Sequence, residues 1–258
     1  MDKILIKGGK RLSGEVEVSG SKNAALPILI GTLLTSDAVE LTNVPELADI
    51  KTTYNLLASL GTAVKTAPHR VTLRTKQLAS HEAPYELVKT MRASFLVAGP
   101  LLARFGKAKV SLPGGCAIGA RPVDIHLKGL KALGATIKLN KGFVEASTKG
   151  LRGAVIPLPF ASVGATENLM MAASLARGTT VITNAACEPE IEDLADFLNV
   201  LGGSVTGAGT PTITIEGVKA LHGGTHKIIG DRIEAGTFIV AAAATRGTVT
   251  VKGFKPVW

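Results

Sequence analysis

Residues Val123-Asp-Ile-His-Leu-Lys-Gly-Leu-Lys-Ala-Leu-Gly134, continuing into Ala135-Thr-Ile-Lys-Leu-Asn-Lys-Gly-Phe-Val-Glu-Ala-Ser147, carry the pattern on which the fold turns. Val123, Leu127, Leu130 and Leu133 fall at helical spacing and make one apolar stripe, and Gly134 follows the last of them as a helix stop. Thr136–Leu139 and Phe143–Ser147 then alternate as a pair of short strands. The same pattern occurs twice more. Ile50, Tyr54, Leu57 and Leu60 end at Gly61, and Ile191, Leu194, Leu198 and Leu201 end at Gly202. Strand pairs Ala63–Lys65 with Arg70–Arg74, and Ser204–Thr206 with Thr212–Glu216, follow them. The chain therefore repeats about every 70 residues.

Upstream of each striped helix lies a more uniformly apolar one, at Ala24–Leu34, Ala93–Ala103 and Thr166–Ala176, and each leads into a strand, at Val39–Thr42, Val110–Leu112 and Val181–Thr183. A helix apolar on most sides belongs inside a domain. Three copies of helix, strand, helix and strand pair predict three buried helices together with sheets outside them. A fourth copy begins at Arg232, with Ala235–Thr245 as its buried helix and Thr248–Val251 as its strand. A single buried helix without partner copies has nowhere to bury its surface, so the chain reads as incomplete, and instability or aggregation is the expectation.

Composition narrows the function. A hydrophobic fraction of 46% and a mean hydropathy of +0.30 are ample for a packed core and exclude a disordered chain. The 29 Lys and Arg against 20 Asp and Glu leave a charge of +9, which favours an anionic partner. The low aromatic content of 4% argues against a stacking platform for nucleic acid. Apolar runs fall short of a membrane span, no leader is seen at the start, and two cysteines make neither a disulfide framework nor a metal spacing. A soluble, reducing, cytoplasmic setting is the expectation, with no metal and no cofactor. No dinucleotide or phosphate-loop motif and no zinc signature occurs.

Chemistry is sought where the copies differ. The connection from strand to striped helix is longest in the second copy, where it reads Pro113-Gly-Gly-Cys116-Ala-Ile-Gly-Ala-Arg121-Pro-Val-Asp124. A Gly-rich connection carrying a thiol and a guanidinium suits an active-site lid, and a neighbouring cation lowers a thiol's pKa. Cys116 is read as reactive. Cys187, beside Glu188 and Glu190, is read as structural, and His126 as a solvated or hydrogen-bonding residue. The buried helices begin near Lys22-Asn23, Arg92, Ser162-Val163-Gly164 and Arg232. Helix starts favour anions, and repeat geometry should gather these at one end of the bundle, so with Arg121 they suggest a pocket for a substrate bearing several negative charges. Whether the second connection faces that side is open at this stage.

The segments Gly-Ser-Lys22-Asn23-Ala-Ala-Leu-Pro, Val-Lys-Thr-Met-Arg92-Ala-Ser, the Cys116 loop through Asp124, Ser162-Val-Gly-Ala-Thr and Asp231-Arg232-Ile-Glu resemble the UDP-N-acetylglucosamine 1-carboxyvinyltransferase family along essentially the whole chain. The resemblance implies an inside-out α/β barrel, with residues 21–229 as a complete three-repeat domain and residues 1–20 and 230–258 as parts of a second. It implies transfer of the enolpyruvyl group of phosphoenolpyruvate to the 3′-hydroxyl of UDP-N-acetylglucosamine, a step of peptidoglycan synthesis, with phosphate released. By the same resemblance Cys116 is a general acid, Lys22 and Arg121 hold the phosphate and carboxylate, and Asn23 positions the reacting groups. Arg92, the stretch Arg121, Pro122, Val123, Asp124 and Ile125, and Ser162, Val163 and Gly164 contact the nucleotide sugar. The partners implied are these two small molecules, with no nucleic acid, membrane or obligate protein partner. In the family an aspartate and further arginines come from the second half, so this chain by itself is expected to be inactive. The alternative is a catalytically dead nucleotide-sugar-binding module.

Overall fold

In a computed structural model, residues 3–88, 91–112 and 123–256 are described. Each apolar stripe forms the helix its spacing predicts: α2 (Ala48–Ser59), α5 (Asp124–Ala132) and α7 (Pro189–Val200). Gly61, Gly134 and Gly202, just beyond them, have φ of 105°, 92° and 88°, a left-handed conformation that a side chain resists and that ends the helix. Each is followed by an antiparallel pair: β3 (Ala63–Ala67) with β4 (Arg70–Arg74), β7 (Thr136–Asn140) with β8 (Phe143–Ser147), and β11 (Val205–Thr206) with β12 (Thr212–Glu216).

The uniformly apolar segments form α1 (Lys22–Gly31), α4 (Ala98–Phe105) and α6 (Val163–Ala173), with buried residues on all sides. The second begins differently from the expectation. Arg92–Val97 is a 3-10 turn, and only then does α4 start. Pro100 is the reason: it has no N–H to give the carbonyl of Leu96, and its ring crowds that carbonyl. Strands β2 (Val39–Thr42), β6 (Lys107–Ser111) and β10 (Thr179–Thr183) follow α1, α4 and α6 and pair antiparallel with β4, β8 and β12.

Besides β1 (Ser13–Glu17), three short strands escaped the sequence reading. They are β5 (Glu82–Ala83), β9 (Val155–Pro157) and β13 (Gly224–Lys227), and a four-residue helix α3 (Tyr85–Val88) follows the first. β5 adds parallel to β6 and β9 adds parallel to β10. β13 adds parallel to β2, so the last strand of the third copy completes the sheet of the first. Three four-stranded sheets thus surround the buried helices, and the copies close on themselves. Arg104, at the end of α4, fastens two copies together by donating to the carbonyls of Leu33, Thr35 and Thr75 at 2.8, 2.6 and 2.8 Å.

The remaining elements stand apart from these sheets. β1 (Ser13–Glu17) pairs only with β14 (Thr248–Lys252), in a two-stranded parallel sheet. α8 (Arg232–Ala244) has the composition of a buried helix, yet Ala235 is its one buried residue and Ile233, Ile239 and Val240 are 52%, 50% and 67% exposed. Residues 19–21 and 229–231 cross between the two groups, where Ser21 N–H donates to Ile229 O and Asp231 N–H to Ser19 O.

Candidate active site

A cavity of about 760 Å³, within the usual range for small-molecule sites, opens where the buried helices begin. Lys22 and Asn23 of α1, Phe95 of the 3-10 turn, Val163 and Gly164 of α6, and Arg232 of α8 all lie on its wall. Repetition explains the convergence: equivalent ends of equivalent helices share one end of the bundle. Ser21, Ser162 and Asp231 cap three of these helices. Ser21 Oγ accepts from Ala24 N–H, Ser162 Oγ from Ala165 N–H, and Asp231 Oδ1 from both Ile233 and Glu234 N–H. Capping takes donors deeper in the first turn of α1 and α6, and Asp231 Oδ2 takes the N–H of Lys22 at 3.4 Å, tying the starts of α1 and α8 together.

The start of α5 reaches the same cavity through Ile125 and His126. His126 is buried, so of the two readings above the hydrogen-bonding one holds. Asn168 fixes its state. The Asn168 amide oxygen accepts from Gly99 N–H at 2.8 Å, which leaves its NH₂ to donate to His126 Nδ1 at 3.1 Å. An Nδ1 that accepts carries no proton, so the neutral ring has its N–H at Nε2. The Phe95 ring meets His126 edge-on at 5.3 Å and holds its plane.

Charge of both signs lines the described part of the wall. Among the described residues, Lys22 and Arg232 face Asp49, Glu167, Glu188 and Glu190. Lys22 Nζ lies 3.3 Å from Asp49 Oδ2, both about 40% exposed, a pair worth on the order of 1 kcal/mol or less and easily exchanged for a ligand anion. Arg232 Nε sits 3.1 Å from Glu190 Oε1 and its Nη2 3.2 Å from Oε2, a forked pair against a buried carboxylate. Burial drives the Glu167 carboxyl well above the usual carboxylate range, and Glu190 and then Glu188 push it further.

Of the residues singled out in the sequence, Lys22, Asn23, Ile125, Ser162, Val163 and Gly164 line this cavity. Val123 is buried just before α5 and off the cavity wall, and Asp124 points outward in an ion pair with Lys128 at 3.4 Å. Cys116, Arg121 and Pro122, and the side chain of Arg92, lie outside the described residues. Cys187, read as structural, is exposed although Ala185 and Ala186 just before it are buried; its thiol donates to Ala185 O at 3.6 Å. Glu167, Asn168 and Glu190 were missed. The signal was present as Thr-Glu-Asn at 166–168, three polar residues inside an apolar helix. Among the described residues no group of His, Cys, Asp and Glu has the arrangement of a metal site, and no helix is long and apolar enough to cross a membrane.

The geometry has counterparts among known proteins. The chain is 59% identical over 252 residues to a protein of Carboxydothermus hydrogenoformans named UDP-N-acetylglucosamine 1-carboxyvinyltransferase 2, covering 98% of this chain and 60% of that protein. It is 58% identical to the UDP-N-acetylglucosamine 1-carboxyvinyltransferase of Geobacter metallireducens, covering 99% of this chain and 61% of that one. The chain thus spans about 60% of the length of these relatives. The fold is shared with the enolpyruvyl transferase NikO of Streptomyces tendae, at a TM-score of 0.79 and 24% identity over 90% of this chain and 55% of that one. It is shared too with EPSP synthase of Acinetobacter baumannii, at a TM-score of 0.75 and 23% identity over 96% of this chain and 57% of that one. The inside-out α/β barrel that the resemblance implied is therefore the fold. With the sequence model of the family described as EPSP synthase (3-phosphoshikimate 1-carboxyvinyltransferase) matching residues 6–257, this chain of capped helix starts around one cavity belongs to that family.

Proposed function

We propose that the protein to which this chain belongs transfers the enolpyruvyl group of phosphoenolpyruvate to the 3′-hydroxyl of UDP-N-acetylglucosamine and releases phosphate, in the cytoplasm, for cell-wall synthesis. The supporting observation is the meeting of the starts of α1, α6 and α8 with the 3-10 turn before α4 at one cavity, in a chain 59% identical to a protein named for that reaction. In the first step the sugar hydroxyl gives up its proton as its oxygen bonds to C2 of phosphoenolpyruvate, the C2–C3 double bond takes up a proton at C3 and becomes single, and a tetrahedral phospho-ketal forms. In the second, the bond from C2 to the phosphate oxygen breaks and C3 loses a proton, leaving the enol ether and inorganic phosphate.

Cys116 is proposed as the acid that protonates C3, and Lys22 and Arg121 as the cations that hold phosphate and carboxylate where negative charge develops. Lys22 exchanges Asp49 for the substrate anion as it does so. Asn23 positions the reacting groups. Arg92, the 121–125 stretch and the capped start of α6 at Ser162, Val163 and Gly164 hold the nucleotide sugar, the last through helix N–H groups suited to a diphosphate.

Residues 21–229 are proposed as one unit and residues 1–20 and 230–258 as parts of a second. In support, β13 joins the sheet of the first repeat, whereas β1 and β14 pair with each other. The second functional reading, a module that binds the nucleotide sugar without turnover, is favoured for the isolated chain by its 60% coverage of its relatives. Phosphate release from the two substrates by the parent protein, lost in Cys116→Ala, is the test of the first reading. A parent without turnover ends it. Calorimetry with UDP-N-acetylglucosamine on the chain tests the second: binding without turnover supports it, and no binding rejects it.

A further inference from the structure

We propose that Glu167 binds an anionic oxygen of the cavity's ligand as a hydrogen-bond donor, so that ligand affinity depends on a proton the protein itself holds. The proposal rests on reading the cavity as the site of an anionic substrate. Glu167 lies one helical turn beyond Val163, and both line the cavity. Its side chain is only 4% exposed, yet no hydrogen bond or ion pair engages its carboxyl among the described residues. Nor is it one of the sealed polar atoms without a partner, which are Ser94 Oγ and Thr180 Oγ1. A buried, unpartnered carboxyl open to a ligand cavity is poised for a ligand.

The surrounding charges decide its form. From α1 comes Lys22, which Asp49 of α2 takes; from α8 comes Arg232, which Glu190 of α7 takes. Glu188, just before α7, adds a further carboxylate. From α5 comes His126, neutral at Nδ1 where Asn168 donates. The 3-10 turn before α4 contributes Ala93, Phe95 and Leu96 to the wall. Among the described side chains of these elements no cation is left for Glu167, and burial with two carboxylates nearby raises its pKa. Ionised, it would add a third carboxylate to Glu188 and Glu190 and repel an anion. Neutral, it offers an O–H to a phosphate or carboxylate oxygen, a short, charge-assisted bond.

Calorimetric titration of inorganic phosphate, phosphoenolpyruvate and UDP-N-acetylglucosamine into wild-type chain, Glu167→Gln and Glu167→Met, across neutral to alkaline pH, tests this. Glu167→Gln keeps a neutral donor, so the ratio of wild-type to Gln affinity is expected to fall about tenfold per pH unit once Glu167 ionises, the ligands' own titration cancelling. Glu167→Met loses the bond at every pH, roughly a tenfold weakening or more at neutral pH. A ratio constant with pH, or Met binding as tightly as wild type, overturns the proposal while leaving the site reading intact. Binding of none of the three ligands overturns the site reading instead. The carbon-13 resonance of the Glu167 carboxyl, assigned by its loss in Glu167→Gln, tests the proton without any ligand. A carboxylate shift at neutral pH overturns the proposal; an acid shift persisting to alkaline pH supports it. Circular dichroism establishes that each variant is folded.

Discussion

Gly99→Ala should be among the most damaging single-methyl additions in this chain. A Cβ built on Gly99 falls 2.3 Å from Asn168 Oδ1 and 2.5 Å from the Asn168 carbonyl oxygen. Ordinary carbon–oxygen approach is near 3.3 Å, so α4 and α6 must part by roughly 1 Å. Backbone cannot rotate out of the way as a side-chain tip can. Overpacking of this kind costs about 1–3 kcal/mol, and the 2.8 Å bond from Gly99 N–H to Asn168 Oδ1 goes with it, leaving buried groups unpaired for about 1–3 kcal/mol more. Part of each cost relieves the other, so about 3 kcal/mol is the expected loss in urea unfolding at unchanged slope. Gly129→Ala is the internal control. Its Cβ comes within 2.5 Å of both Leu169 methyls and 3.0 Å of Leu169 Cγ, a side chain that can shift where backbone cannot, and the helix gains from losing a glycine; about 1 kcal/mol is expected. Gly99→Ala also releases the Asn168 amide that fixes His126, so the His126 ring nitrogens should lose their single-tautomer nitrogen-15 signature. A loss no greater than that of Gly129→Ala, with the His126 signature intact, would refute the close approach of α4 and α6.

Arg104→Met should cost about 2–4 kcal/mol in the same assay, because three carbonyls of the first copy lose a charged donor; a loss under about 0.5 kcal/mol would mean water replaces it freely. Gly236→Ala is expected to stabilise by up to about 1 kcal/mol, since nothing lies within 4 Å of its Cβ and α8 gains helix propensity; a destabilised variant would mean a surface packs there. Glu167→Gln should gain stability on wild type as pH rises. The folded carboxyl has a raised pKa, so its contribution is whole below the ordinary Glu range and is lost as pH climbs toward the folded value, at about 1.4 kcal/mol per unit. Parallel pH profiles for the two would show the group ionised like any surface Glu.

Much of the fold was legible because it repeats. Stripe residues such as Leu133 and the glycine that follows recur in step, and a recurring pattern survives local noise. What escaped was short or non-local. β5 has two residues, and β13 is Gly-Thr-His-Lys, with no alternation to announce a strand. Its partner β2 lies at the other end of the repeat array, where no window of sequence joins them; His226 Nε2 to Asp193 Oδ1 at 2.8 Å, both nearly buried, helps hold it there. The 3-10 turn at Arg92–Val97 was legible in principle from Pro100, whose effect on the preceding turn is steric and local. The candidate site divides in the same way. Helix starts could be counted from sequence, but the pairing of Arg232 with Glu190, 42 residues apart, required the fold.

Repetition supplies a place and departure from it supplies chemistry. Every buried helix delivers its first turn to the same end of the bundle, so any residue set there by any copy faces the others. α1 sets a lysine there, held by Asp49 in an exposed pair; α8 sets an arginine, held by Glu190 in a buried fork. Those two cations therefore differ in how readily an anion takes them. The exposed pair gives up little on exchange, whereas parting Arg232 from Glu190 leaves a buried carboxylate to be neutralised. α6 sets no cation at its start, and instead holds Glu167 one turn deeper, beside the carboxylate that any capture of Arg232 would strand.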